Sequence, residues 1–134
     1  MIIVDTNVWS VLFSRQPNAR VIDWLVLNQP QLWLSTIAIG EIRYGAELPK
    51  AAAIRPRVLA WLSGLEREFT DRILPFDADA AHLFGALRAL RPEESKLLDM
   101  ALAAQALARD ATLATRNLRD VGWTGAKLVD PFGD

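Results

Sequence analysis

The chain has 134 residues, 51% of them hydrophobic, no cysteine and a formal net charge of −1. That size and apolar content predict one domain over 1–134 with a core of its own. The missing cysteines remove disulfides, thiolate nucleophiles and thiolate zinc sites, and the near-neutral charge excludes the broad positive field of a strongly basic nucleic-acid binder.

The apolar run Ile2-Ile3-Val4 predicts a buried strand that ends on Asp5, Thr6 and Asn7. A helix is expected over 8–13. Asn18 is placed to cap another, whose Val21, Trp24, Leu25 and Leu27 follow helical spacing up to a stop at Pro30. Leu32-Trp33-Leu34 reads as a second strand, with Ser35 or Thr36 as the cap of a helix carrying Ile39, Glu41, Ile42 and Gly45. The stretch 49–56, bounded by two prolines, is a break or a restarted helix. Val58, Leu59, Leu62, Leu65 and Phe69 then form an amphipathic pattern, and 73–76 a short strand or extended connection. Asp77 caps a helix through Leu90, and 91–95 interrupts it. A very apolar helix follows over 96–109, with Ser95 as its expected cap and a turn at Asp110. Strands at 112–115 and 127–129 flank a turn or short helix at 117–120. The alternation predicts an α/β sandwich with a short, mostly parallel sheet. No apolar run approaches the roughly 20 residues of a membrane span and no leader pattern precedes the first strand, so a soluble, unprocessed, cytoplasmic protein is expected.

Three acids stand out because each interrupts a stretch that otherwise reads as core. Asp5 ends the first strand, Glu41 lies within Ile37-Ala38-Ile39-Gly40-Glu41-Ile42, and Asp99 lies within Leu97-Leu98-Asp99-Met100-Ala101. Taken singly, Asp5 fits a helix cap and Glu41 a salt bridge to Arg43 or another arginine. Asp99 fits a buried ion pair, at the cost of desolvation. Convergence explains all three together: carboxylates that repel one another are tolerated when they hold a hard, oxygen-loving cation such as Mg²⁺. Such an ion can activate water and steady an in-line displacement at phosphorus, so phosphodiester hydrolysis is the natural chemistry. In parallel α/β sheets ligands bind at the carboxyl ends of the strands, where Asp5 and the tripeptide Thr115-Arg116-Asn117 are both expected. Gly45, one turn beyond Glu41, leaves room for a close approach.

Of fifteen cationic residues twelve are arginine, among them Arg15, Arg43, Arg88, Arg91, Arg116 and Arg119. Most read as solvated helix faces, and a few can grip a phosphate backbone. The lone His82 sits on an amphipathic helix as a surface or half-buried residue. The five tryptophans share no periodic face and read as core or interface.

These residues resemble the PIN-domain ribonucleases, and among them the VapC-type toxins of bacterial toxin–antitoxin pairs, especially the FitB-like branch. Val4-Asp5-Thr6-Asn7-Val8 is similar to the family's first block, 34–45 to its second, 98–104 to the helix with the later Asp, and 113–117 to the last strand end. The stretch 73–77 is similar to one in the FitB-like branch, and the five blocks in order cover nearly the whole chain. The resemblance implies a three-layer α/β/α PIN-like fold and a Mg²⁺- or Mn²⁺-dependent endoribonuclease that inhibits translation or growth. Asp5 and Asp99 would be the main metal ligands, with Glu41 completing the acidic pocket and Thr6, Asn7, Thr115 and Arg116 supporting it. The fourth pocket position, Asp in many members, falls on Asn117, with Asp120 close by as the alternative. Also implied are a homodimer and a small VapB/FitA-like antitoxin whose C-terminal segment can place an arginine in the acidic groove. The competing reading is a catalytically weak domain of this fold that binds RNA or protein. A receiver domain would need paired acids after the first strand, and a haloacid-dehalogenase-type phosphatase a second Asp where Asn7 stands.

Overall fold

The first apolar run forms strand β1 (Ile2–Val4), which lies at the centre of a five-stranded sheet in the computed structural model, whose description covers residues 1–133. The other strands are β2 (Leu32–Ser35), β3 (Ile73–Leu74), β4 (Thr112–Ala114) and β5 (Lys127–Val129), in the order β3-β2-β1-β4-β5. Every pairing is parallel, with Ile2 opposite both Leu32 and Thr112, Leu34 opposite Ile73 and Leu113 opposite Leu128. The sheet is therefore wholly parallel where a mostly parallel one is expected from the strand and helix order.

Alternation along the strands splits the core in two. Val4, Leu32, Leu34 and Ala114 pack on one face against α1 (Thr6–Trp9), α2 (Ala19–Asn28) and α4 (Arg55–Glu68). Ile3, Leu74 and Leu113 pack on the other against Leu102, Ala103 and Ala106 of α6 (Leu97–Arg109). Helix α5 (Ala78–Leu90) is laid over α6 through Leu87, Met100 and Ala104. The result is the three-layer α/β/α arrangement, with α3 (Thr36–Glu47) and α7 (Leu118–Val121) at the carboxyl ends of β2 and β4. Asp110 takes the left-handed conformation (φ 51°) that reverses the chain tightly from α6 into β4.

Several local expectations change at the boundaries. The first helix begins at Thr6, directly after Asp5, and tightens into a 3₁₀ turn over Ser10–Phe13. Pro49 opens a 3₁₀ turn, and α4 starts at Arg55 with Pro56 in its first turn, where a missing N–H costs nothing. Asn18, Ser35 and Asp77 cap α2, α3 and α5 as expected, accepting from the N–H groups of Val21, Ile37 and Ala80. Ser95 does not cap α6: Lys96 occupies the cap position without a side-chain bond to the helix. Among the described residues no helix is long and apolar enough to cross a membrane.

Candidate active site

In a parallel sheet the crossover helices run back against the strands, so the end of a strand and the start of the helix preceding the next strand lie at one edge. Asp5 leaves β1 there, Thr115 and Asn117 leave β4, and Asp99 is in the first turn of α6. Glu41 enters from the second turn of α3, which Ser35 anchors to the end of β2. The chain reverses its direction of growth across the sheet beside β1, between β2 and β4, which is where such folds open a crevice.

Hydrogen bonds join these residues into one continuous path. Asp5 is 3% exposed and accepts from the Thr6 N–H at 2.6 Å through Oδ1 and from the Thr115 hydroxyl at 2.7 Å through Oδ2. The Thr6 hydroxyl donates to Glu41 Oε1 at 2.9 Å. The Asn117 N–H donates to the Thr115 hydroxyl at 3.0 Å, and its side-chain amide reaches Asp99 Oδ2 at 3.5 Å. The Arg116 N–H reaches Asn7 Oδ1 at 3.4 Å, tying the chain after β4 to the chain after β1. The path runs Glu41, Thr6, Asp5, Thr115, Asn117, Asp99.

Electrostatics couple the three acids as well. Burial raises the Asp5 carboxyl above its usual range, the Thr115 hydrogen bond opposes this, and the Glu41 charge adds to it. Burial raises Glu41, with the Thr6 bond opposing and Asp99 contributing. Asp99 is pushed up to about 6 by burial first and then by the charges of Asp5 and Asp120, with Lys96 and Asn117 opposing. Like charges crowded into partly dry surroundings favour protons or a cation. Asp5 does cap α1, as its simplest reading holds, and the carboxylate nonetheless belongs to the acid group. The suggested partner of Glu41 is not found: Arg43 pairs with Glu47 at 2.8 Å, and Glu41 bonds to Thr6.

Glu41, Lys96, Asp99 and Asn117 line a cleft of about 350 Å³, and Glu41 also borders an apolar groove of about 340 Å³ walled by Phe13, Ile42, Ile54, Val58 and Trp61. Among the described residues no three acidic or histidine side chains close into a cluster tight enough to hold an ion alone. Mg²⁺ does not require that, since it is commonly held by one or two carboxylates and keeps several waters. An all-oxygen set of carboxylates, hydroxyls and an amide suits such an ion and offers nothing to a soft metal. His82 is exposed on α5. Gly45 lines the apolar groove, and a Cβ there would meet nothing within 4 Å.

One buried polar residue that supports the elements of the site escapes the sequence reading. Gln105 of α6 is 1% exposed; its amide accepts from the Ser35 hydroxyl at 2.5 Å and donates to the Leu74 carbonyl at 3.3 Å. It clamps the ends of β2 and β3 to the helix that carries Asp99. Its signal was present, a lone amide inside the alanine-rich run Ala101-Leu102-Ala103-Ala104-Gln105-Ala106, of the same kind that marked Asp99.

Comparison with known proteins shows what the chain is similar to. The PIN domain model matches residues 2–120. VapC ribonuclease Y4jK of Sinorhizobium fredii is 31% identical over 98% of this chain and 98% of its own. Toxin FitB of Neisseria gonorrhoeae is 32% identical over the full length of both. The crystal structure of FitAcB from Neisseria gonorrhoeae superposes with a TM-score of 0.82 at 30% identity, covering all of both chains.

Proposed function

The chain belongs to the PIN domain family, and we propose that it is a metal-dependent endoribonuclease acting as the toxin of a toxin–antitoxin pair, where RNA hydrolysis inhibits translation or growth. The observation that carries this reading is the convergence of Asp5, Glu41 and Asp99 from three separate elements onto one hydrogen-bonded path at the carboxyl edge of the sheet, where burial and one another's charges raise all three carboxyls. The kinship to a VapC ribonuclease and to Toxin FitB supports it.

In this reading Asp5 and Asp99 would hold Mg²⁺ or Mn²⁺, and Glu41 would complete the pocket and orient the attacking water. When bound, the ion lowers the pKa of water and offsets charge on the scissile phosphate. The protein's own part is positional. The hydroxyls of Thr6 and Thr115 donate to Glu41 and Asp5, which fixes both carboxylates and opposes the upward pull of burial on their pKa values. Asn117 takes the fourth position, since its amide lies against Asp99; Asp120 acts on Asp99 through its charge, with no hydrogen bond to it. An acidic pocket of this kind also suits an arginine from an antitoxin, the small partner protein that VapC-type toxins pair with, and a homodimer is the expected assembly.

Asp5→Asn keeps an acceptor for Thr6 or Thr115 and removes the charge. The variant should remain folded and lose cleavage of cellular RNA in Mg²⁺, together with growth inhibition on induction. Mapping RNA 5′ ends after brief induction of wild type and variant reads both out. Identical ends and full toxicity in Asp5→Asn would overturn the metal site.

A further inference from the structure

A site built from Asp5, Glu41 and Asp99, with the charge of Asp120 added at Asp99, repels the polyanion it is read as cutting, so something beside it must hold phosphate. We propose that Arg116, stacked on Phe132, is a phosphate clamp that seats single-stranded RNA with a neighbouring phosphodiester against the acidic pocket. The proposal rests on the ribonuclease reading above.

The placement is fixed on both sides. Arg116 lies between Thr115, which bonds Asp5, and Asn117, which reaches Asp99, and its own N–H reaches Asn7. Its backbone cannot shift without disturbing two of the acids. The side chain is exposed, and its guanidinium carbon sits 4.3 Å from the centroid of the Phe132 ring. Phe132 packs against the core, and its N–H bonds Asp130 at 2.8 Å, so the platform is itself held.

A guanidinium beside several carboxylates would ordinarily fall onto one of them and neutralise it. Arg116 does not. The ion pairs among the described residues engage Arg43, Arg55, Arg109 and Lys127. Asp5 accepts from the Thr6 N–H and the Thr115 hydroxyl, and among the described residues no guanidinium pairs with it. Stacking occupies one face of the guanidinium and leaves the N–H donors along its edge, the geometry that takes a phosphate in two-point fashion. The ring therefore gives the exposed guanidinium a fixed seat next to the chain that carries Thr115 and Asn117 to the acids. Contact through phosphate is indifferent to base identity, so the clamp supplies affinity and register without sequence choice.

Anisotropy titrations with a short fluorescein-labelled single-stranded RNA of mixed sequence, in EDTA so that nothing is cut, test the clamp at several salt concentrations. Arg116→Gln is expected to bind about tenfold more weakly at low salt, as loss of a charged hydrogen-bonded contact implies. The slope of log K against log salt should fall by about 0.7, the value for one phosphate contact on a single strand. Arg116→Lys should recover the slope and only part of the affinity. Phe132→Leu should behave like Arg116→Gln although the arginine is intact, with a thermal melt to show that it folds. An affinity and slope unchanged in Arg116→Gln, a Phe132→Leu variant that binds like wild type, or wild type that does not bind would each overturn the clamp. Cleavage of cellular RNA by wild type in Mg²⁺, run beside it, separates the two ideas. Cutting with Arg116-independent binding refutes the clamp alone, and Arg116-dependent binding without cutting refutes the nuclease reading and supports the clamp.

Discussion

Replacing Asp99 by Asn should abolish cleavage in Mg²⁺ and make the metal-free protein more stable. The Asp99 carboxyl is raised from 3.8 to about 6 by burial and by the charges of Asp5 and Asp120. At about 1.4 kcal/mol per pKa unit the whole displacement corresponds to roughly 3 kcal/mol held against the ionised form. The side chain is only half-buried, so solvent screening leaves about 1 kcal/mol of that as a realistic gain. In a chain of this length that is a rise in Tm of about 4 °C. Asn has nearly the same shape and keeps an acceptor for Asn117. A carboxyl whose pKa is higher in the folded chain than in the unfolded one takes up a proton on folding. Its contribution is therefore fully present below about pH 4 and is lost as the pH climbs through about 6. Melts in EDTA should accordingly coincide for wild type and Asp99→Asn near pH 4 and separate above pH 6, with the variant higher. Added Mg²⁺ should raise wild type by ligand linkage and leave the variant nearly unmoved. A variant less stable than wild type at pH 8 in EDTA, or a gap that does not change with pH, would refute the mutual repulsion of the acids.

Asn117→Ala removes the amide against Asp99 and should slow RNA cleavage by roughly 10- to 100-fold, as loss of a residue that orients a metal ligand does. Asp120→Ala should instead lower the Asp99 pKa and shift the acid limb of the pH–rate profile downward. An unchanged rate in the first with a severe loss in the second would move Asp120 into the fourth position. Thr115→Val takes away the hydroxyl that opposes the burial of Asp5, so the Asp5 pKa should climb further. Activity would then require higher pH and more Mg²⁺, and a downward shift would exclude this role. Gln105→Leu leaves the Ser35 hydroxyl and the Leu74 carbonyl without their partner, which should cost about 1–3 kcal/mol in urea denaturation. An unchanged midpoint would rule out the amide as a clamp.

Asp5, Glu41 and Asp99 were legible in the sequence because each breaks a local apolar pattern, and a local pattern is what periodicity can report. The helix caps at Asn18, Ser35 and Asp77 were legible for the same reason, since capping is settled within three residues. Ser95 misled because the choice between two adjacent polar residues depends on how α6 is seated on α5 and the sheet, which propensity does not encode. The bonds that turn three acids into one site lie beyond any local window. Thr115 and Asp5 are 110 residues apart, and Gln105 and Ser35 are 70 apart. Both contacts follow from strand order. Because β4 inserts beside β1 instead of extending the sheet past β3, the residue after β4 meets the residue after β1. The Asp5 N–H continues that ladder to the Ala114 carbonyl at 2.9 Å, so the register that pairs Val4 with Ala114 also fixes Thr115 against Asp5. A slip of one residue along β4 would turn Thr115 to the other face of the sheet and leave the Asp5 carboxylate buried without its donor. The pairing of two three-residue strands thus sets the chemistry of the pocket, and apolar contacts of Ile3 and Leu113 on one face and Val4 and Ala114 on the other hold that pairing in place.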